Sequence, residues 1–326
     1  MAQKHDLNWD DDTPARRRAI APWVARVGGY GVGLLIVAIV AYYLIGMALT
    51  HRISDDVDLA VSDTPPGASR SVQMAADLIY RETEQNSWVA NNPFFLPGYM
   101  LDNMPNFQQG VINAISRFAI EMSDQLGRTR ASSEVDKDLE DAAGKLKFPG
   151  TIWLFDFETS WAPTTPAEKQ YAAARRALLA YNARLAAGDA TFEKRSDNLQ
   201  ATLERMTADL GSSSAIIDQH LAHAGGWGMD TKVDDIFYNV KGRLYGYYML
   251  LRELGVDFDR VIKDRELGSA WSQMLDSMRS AAALDPLVIM NGSPDGLIFP
   301  SHLSVQGFYL LRARTQLREI TNILQK

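Results

Sequence analysis

An apolar stretch near the N-terminus, Val27 to Thr50, constrains this chain more than any other feature. Its sequence is VGGYGVGLLIVAIVAYYLIGMALT, and it contains no charged residue. A helix rises about 1.5 Å per residue, so this stretch is long enough to cross the hydrocarbon core of a bilayer, which is about 30 Å thick. We therefore predict a tail over residues 1–26, a transmembrane helix over 27–50, a linker over 51–68 and a folded domain over 69–326.

The charges beside this stretch predict its orientation. Arg16–Arg18 and Arg26 precede it, whereas the segment after Arg52 is rich in Asp. Basic residues are retained on the cytoplasmic side, so we expect a cytoplasmic N-terminus and an exported domain. The alternative is a cleaved signal peptide, for which Gly46–Ala48 offers small residues. An uncleaved anchor is favoured because the basic region starts far from the N-terminus and the apolar run is long for a signal core.

Two glycines within the span could support contact between copies. Gly29 and Gly33 form a GxxxG pattern, which allows close packing of two membrane helices. Glycine is common in membrane spans, so an ordinary span is the simpler interpretation. Pairing into a homo-oligomer through this face remains the alternative.

Composition excludes several classes of function. The chain has 33 Lys and Arg against 40 Asp and Glu, a net charge of −7, which argues against a nucleic-acid partner. It has no Cys, which excludes disulfides, thiolate metal sites and a Cys nucleophile. The sequence also lacks a GxSxG elbow and a glycine-rich phosphate-binding motif, so we predict no cofactor.

Apolar periodicity predicts an all-α domain. Beyond residue 69, apolar residues recur at three- and four-residue steps nearly throughout, which is typical of amphipathic helices. The spacing predicts a bundle of about eight helices. Two short apolar runs on either side of residues 291–296 favour a small β-hairpin or an ordered loop.

Local signals refine the helix boundaries. Thr165 to Glu168 reads as a capping box with Pro166 at the first helical position. Gly211 is expected to end one helix before another begins near residue 213. Gly242 and Gly246 lie four residues apart on one helix, where glycine costs about 1 kcal/mol relative to alanine, so we expect a neighbouring backbone to approach closely there.

Several long segments resemble a known family. They are NPFFLPGYMLDNMPNFQQGVINAISRFAIEMSDQLGRTR, KFPGTIWLF, RSDNLQATLERMTADLG, DDIFYNVKGRLYGYYMLL and ELGSAWSQMLDSMRSAAALDP. The chain resembles an uncharacterised family of bacterial inner-membrane proteins, a domain of unknown function, over roughly residues 30–326. The resemblance implies a single-pass protein of Gram-negative bacteria. It implies no activity and no catalytic residues.

The nearest approach to a metal-binding motif is formed by Asp218, His220 and His223. The two histidines lie three apart and would share one side of a helix. Zinc requires at least three protein ligands in a tetrahedral arrangement, and only two imidazoles are present. The edge of a helical core is the simpler interpretation, and we predict no metal.

Glu158 is the only candidate acid that we single out. It lies among aromatic residues in FETSW, where desolvation could raise its pKa enough for a general acid, as cleavage of peptidoglycan requires. Such enzymes, the lytic transglycosylases, also carry Gly-, Gln- and Tyr-rich motifs that are missing here. A solvent-facing loop glutamate is therefore the favoured interpretation.

Two groups of aromatic residues are candidates for binding. Those at helical spacing, Phe237, Tyr238, Tyr245, Tyr247 and Tyr248, are expected to be core, with a lipid-binding groove as the alternative. The irregular segment that contains Phe94, Phe95, Leu96 and Tyr99 is expected to plug the bundle. Its alternatives are contact with the outer leaflet of the inner membrane or with a partner helix.

These features together favour a non-enzymatic function. We predict a scaffold or accessory subunit that binds the bilayer through residues 27–50 and other proteins through its periplasmic domain. The alternatives are an enzyme acting on peptidoglycan with Glu158 as its acid, and a domain that binds lipids or other hydrophobic ligands.

Overall fold

The computed structural model describes residues 21–126, 135–155, 161–223, 231–286, 288–290, 292 and 301–326. Within these ranges the chain is all-helical and contains no strand, which confirms the predicted fold class. The α-helices of this part of the chain are α1 (Ala21–Thr50), α2 (Arg70–Tyr80), α3 (Asn103–Glu121), α4 (Lys137–Leu146), α5 (Ala167–Ala187), α6 (Ser196–His223), α7 (Thr231–Asp257), α8 (Asp259–Asp264), α9 (Gly268–Ala282) and α10 (His302–Leu324).

The first helix forms a unit of its own. Contacts between residues divide the chain between Leu49 and Thr50. Residues Arg26–Thr50 of α1 are long and apolar enough to cross a membrane, and none of that window is buried within the chain. A helix with these properties at the N-terminus is compatible with a single-pass anchor or with a signal sequence.

Helix α7 forms the centre of the domain. It packs mainly against α3, with α2 and α9 also against it. Its residues from 244 to 251 are all buried, and the expected core position of the five aromatic side chains between Phe237 and Tyr248 is confirmed. A helix that is apolar on nearly all sides needs such complete coverage by its neighbours.

Small residues allow the close approach of α3 and α7. A Cβ atom on Gly242 would overlap the main-chain carbonyl oxygen of Phe107, and one on Gly110 would overlap that of Asn239. A Cβ atom on Gly246 would lie 2.8 Å from the Cβ of Ala114. The predicted backbone approach at Gly242 and Gly246 is therefore confirmed.

Three local predictions differ from the structure. Helix α6 does not end at Gly211 but continues through it, because the helix packs against α10 and the Arg314 guanidinium covers the glycine. Pro166 precedes the first residue of α5, and no side chain caps that helix. Glu168 instead accepts a hydrogen bond from Asn91 Nδ2, at 2.6 Å.

The count of helices also differs slightly. The described ranges contain nine α-helices after α1, against about eight expected, and the short helix α8 was not anticipated. The β-hairpin considered around residues 287–299 falls mainly on residues outside the described ranges.

Candidate interaction surfaces

The segment between the apolar helix and the domain is tied to the domain surface. We call residues 53–62 the strap. They have no helical structure, as the linker prediction implies, but their apolar side chains pack against the core: Ile53, Val57, Leu59 and Val61. Tyr245 of α7 donates a hydrogen bond to the carbonyl of Asp56, at 2.8 Å. Arg252 donates to the carbonyls of Val57 and Leu59, at 3.0 and 2.6 Å.

Two cations also hold the acidic residues of the strap. Lys241 is fully buried, and its Nζ lies 2.5 Å from Asp55 Oδ2 and 3.6 Å from Asp285 Oδ1. Arg279 of α9 makes a two-oxygen contact with Asp58, at 2.8 and 2.9 Å. The Asp residues of this segment suggest a solvated linker, but in the structure Asp55 and Asp58 pair with basic side chains of the domain.

A buried polar chain lies behind the strap. Arg81 donates to the hydroxyl of Tyr245 at 2.6 Å and pairs with Glu82 at 2.7 Å. Burial raises the pKa of Glu82, while the adjacent Arg81 charge opposes that rise. Both residues lie in a π-helical turn, Arg81–Gln85, and Gln108 donates to the carbonyl of Glu82 at 3.1 Å. These contacts connect the strap to α3 by way of Tyr245 of α7 and the Arg81–Glu82 pair.

Sequence reasoning missed these buried charges, although a signal exists. Lys241 follows Phe237 by four residues and precedes Leu244 by three, so it falls on the apolar side of α7. Glu82 likewise follows Ile79 by three residues. A charged residue at a core position indicates a buried partner, but spacing alone does not identify that partner.

An exposed group of apolar side chains lies where two irregular segments meet. We call it the aromatic surface cluster. Phe94 and Phe95 pack at 5.5 Å between ring centroids, Phe95 and Trp153 at 5.6 Å, and Trp153 and Phe155 at 5.8 Å. The cluster comprises Phe94, Phe95, Tyr99, Met100, Trp153, Leu154 and Phe155.

The expectation that this segment plugs the bundle is wrong. Phe94 is 71% exposed, Tyr99 57% and Met100 60%, while Leu96 is only half-buried. Pro93 and Pro97 prevent a continuous helix here, and the chain forms a 3₁₀ turn over Pro97–Met100 instead. The turn leaves its large side chains on the surface.

The two segments of the cluster are held by partly buried hydrogen bonds. Trp88 Nε1 donates to the carbonyl of Gly150 at 2.8 Å, and its ring packs edge-on against Tyr171. Asn91 Nδ2 donates to the carbonyl of Ile152 at 2.9 Å. The two irregular segments that carry the exposed rings are therefore fixed to each other.

A second apolar surface lies on the last helix. Val305, Phe308 and Leu311 of α10 are 43%, 61% and 56% exposed and follow one another at three-residue steps. We call these residues the α10 face. Ile216 of α6 is also exposed. Gly307 lies against Ile217 and Gly211 against Arg314, so α6 and α10 run antiparallel with Ile216 at the level of Phe308.

The remaining predicted site residues are not brought into a catalytic or metal-binding arrangement by the described part of the chain. Glu158 lies outside it, as does the side chain of His223. On α6, Asp218 is exposed and His220 half-buried. Among the described residues, no group of three or more His, Asp and Glu side chains could hold a metal ion.

The glycines of the apolar helix have open surroundings. A Cβ atom on Gly29 or Gly33 would have no heavy atom within 4 Å in this chain. Contact between two copies through this face stays a prediction.

One depression on the domain surface is lined by residues of α3 and of the loop after α4. It has a volume of about 360 Å³ and lies between α3 and residues 146–151. Its lining is mainly apolar or uncharged, includes Tyr171 and Lys147, and contains no Asp, Glu or His. It therefore offers no carboxylate or imidazole for acid–base chemistry.

The class of protein follows from these features. The chain combines an N-terminal apolar helix with an all-helical domain that exposes two apolar surfaces. Comparison places it in a family of bacterial proteins described as uncharacterised and conserved, DUF2333, which matches residues 66–227 and 225–326. Because these matches cover most of the chain, the protein belongs to that family. No curated protein and no solved structure matches it significantly.

Proposed function

We propose that this protein is a membrane-anchored scaffold or accessory subunit that binds other proteins in the bacterial envelope and catalyses no reaction. The observation that carries the proposal is the α10 face. Isolated apolar side chains are normal on protein surfaces, but a row of three on one helix is typical of a surface that receives a partner helix. The partner would bury Val305, Phe308 and Leu311.

The location supports this function. We propose that α1 is an uncleaved anchor in the inner membrane, with residues 1–26 in the cytoplasm and the helical domain in the periplasm. The basic residues before α1 support that orientation.

The two alternatives have less support. A lipid-binding groove along α7 would need accessible rings, and those rings are buried. Cleavage of peptidoglycan would depend on Glu158, which lies outside the described residues. Neither alternative has a structural observation in its favour.

The proposal is tested by affinity purification of the full chain from native membranes at its natural abundance. We expect stoichiometric protein partners with the wild type, and we expect Phe308→Ser to lose them. Val256→Ser is the matched control, because Val256 is also exposed, at 53%, but lies on α7. Absence of any stoichiometric partner, or full retention of partners by Phe308→Ser, would contradict the proposal.

A second experiment separates the scaffold from the enzyme. In a strain that lacks the native gene, Glu158→Gln should restore any deletion phenotype as fully as the wild type does. Loss of complementation by a normally folded and normally abundant Glu158→Gln protein would favour the enzyme.

A further inference from the structure

The aromatic surface cluster has the composition of a membrane-interface contact. The residues around it, PFFLPGYML and IWLF, contain no charged side chain, and exposed Asp102 marks the end of the first run. Exposed Phe, Tyr, Met and Leu side chains lie beside half-buried Trp153, and Trp and Tyr are the residues enriched at the boundary between headgroups and acyl chains. The side chains project from a 3₁₀ turn and a loop, not from a helix that could pair with another helix.

Chain length places the cluster near the membrane. The span ends at Thr50, and the main-chain N–H of Arg52 donates a hydrogen bond to Met104 Sδ at 3.2 Å. Two residues of extended chain cover about 7 Å, and the four residues from Met104 back to Met100 cover at most about 14 Å. With the length of the Met104 side chain included, Met100 therefore lies within about 30 Å of the residue that ends the span.

The other end of the same segment is held as well. Asn86 Nδ2 donates to Ser54 Oγ at 3.0 Å, so the chain between Asn86 and Met104 is fixed at both ends to the first residues after the span. Because the strap is bound along its length to the domain, it cannot extend freely, and the cluster keeps a fixed distance from the first residues after the span. A flexible linker would impose no such limit.

We propose that the aromatic surface cluster inserts into the headgroup region of the bilayer that α1 crosses, so that the domain lies against the membrane. The occupant of this surface is the lipid interface. A partner protein would place no limit on where the cluster lies in the domain, whereas contact with the bilayer requires the cluster to lie within reach of the anchor. The inference rests on the anchor in the proposed function, but it does not depend on the α10 face or on any protein partner.

The natural absence of cysteine allows a direct test. Single-cysteine variants Tyr99→Cys and Phe308→Cys of the full chain would be labelled with an environment-sensitive fluorophore. They would then be reconstituted into vesicles of phosphatidylethanolamine and phosphatidylglycerol that contain a lipid with a nitroxide on its acyl chain near the headgroup. The two positions are matched, since Tyr99 is 57% and Phe308 61% exposed.

We expect the lipid nitroxide to quench the label at position 99 at least several-fold more than the label at position 308. Aqueous iodide should quench position 308 more strongly. Equal lipid quenching at the two positions would overturn the inference. So would a label at position 99 that neither quencher reaches, because that result would indicate a protein contact or a second copy.

The test also separates this inference from the proposed function. If position 99 contacts lipid but Phe308→Ser still retains all partners, the membrane contact stands and the assigned partner surface is wrong. If the labelled chain leaves the vesicles in alkaline carbonate, α1 is not an anchor and both proposals fail. Thermal unfolding of each labelled variant controls for loss of fold.

Discussion

Lys241 shows how a single residue joins the domain to the segment that follows the apolar helix α1. It has no exposed surface, and its ammonium group pairs with Asp55 of the strap. A buried cation is tolerated only with a partner, since its desolvation costs several kcal/mol. Lys241 is therefore stable in the core only while the strap holds Asp55 beside it.

Removal of the acidic partner tests this dependence. We expect Asp55→Asn to lower the free energy of unfolding by about 3 kcal/mol, the lower end of the cost of leaving one member of a buried pair, because Asp285 can compensate in part. Chemical denaturation of the full chain in detergent measures the change. Asp58→Asn is the control, because its partner Arg279 is about half exposed, so we expect a loss of at most about 1 kcal/mol. Equal effects of the two variants would contradict the importance of the buried pair.

Gly242 is a second residue with a specific steric role. Gly242→Ala would place a methyl group against the carbonyl oxygen of Phe107 and force α3 and α7 apart. We expect a loss of about 1–3 kcal/mol, as is usual for overpacking in a core. Thermal unfolding followed by circular dichroism would show the loss as a lower Tm.

Gly144 of α4 provides the matched helical control. It is exposed, and a Cβ atom there would meet nothing within 4 Å. Gly144→Ala should therefore raise stability, by up to about 1 kcal/mol, through helix propensity alone. A stabilising effect at both positions would show that α3 and α7 do not depend on the glycine contact.

At the scale of elements, helix type and a close backbone approach at Gly242 and Gly246 could be predicted from sequence. The identity of α3 as the approaching helix and the course of the irregular segments could not. Periodicity identifies α7 because its core residues repeat regularly. Residues 53–62 have no such period, since they are fixed by hydrogen bonds from distant side chains to main-chain carbonyls, such as that from Arg252 to Val57. The segment around Phe94 has the composition of a core, and only the paired prolines hint that it stays at the surface.

Helices α5 and α7 carry buried tyrosines, which predicts sensitivity to alkali. Burial raises the pKa of Tyr171, Tyr181, Tyr245 and Tyr247 above the ordinary value near 10. A raised pKa in the folded state means that the unfolded chain loses its protons first. The stability that these groups provide is therefore complete below pH 10 and is lost as the pH rises above it, by up to about 1.4 kcal/mol per pH unit for each group.

Substitution of Tyr171 separates two contributions to stability, that of its ionisation and that of its hydrogen bond. Tyr171→Phe removes a hydrogen bond of 2.7 Å to the carbonyl of Phe148, so we expect a loss of about 1 kcal/mol at pH 8. Above pH 10 the variant should lose less stability per pH unit than the wild type. Denaturation curves at pH 8, 10 and 11 measure both effects, and identical pH slopes would show that Tyr171 ionises equally in both states.

At the scale of the whole molecule, the account joins one apolar helix to one helical domain through a bound strap. The apolar helix and the fold class follow from hydropathy and periodicity, which are local properties of sequence. The two exposed apolar surfaces do not, because the spacing of Val305, Phe308 and Leu311 cannot distinguish a core face from a surface face. Only the packing of α10 against α6 and α9 decides that question.

The central claim is that an uncleaved anchor holds this domain on the outer side of the inner membrane. A Lys326→Cys variant, whose single cysteine lies at the exposed C-terminus, tests it in one measurement. Cells with a permeabilised outer membrane would be treated with a membrane-impermeant maleimide and then extracted with alkaline carbonate. We expect the full-length chain to be labelled before lysis of the inner membrane and to remain in the membrane pellet. Labelling only after lysis, or release of a chain shortened by the N-terminal helix, would contradict the account.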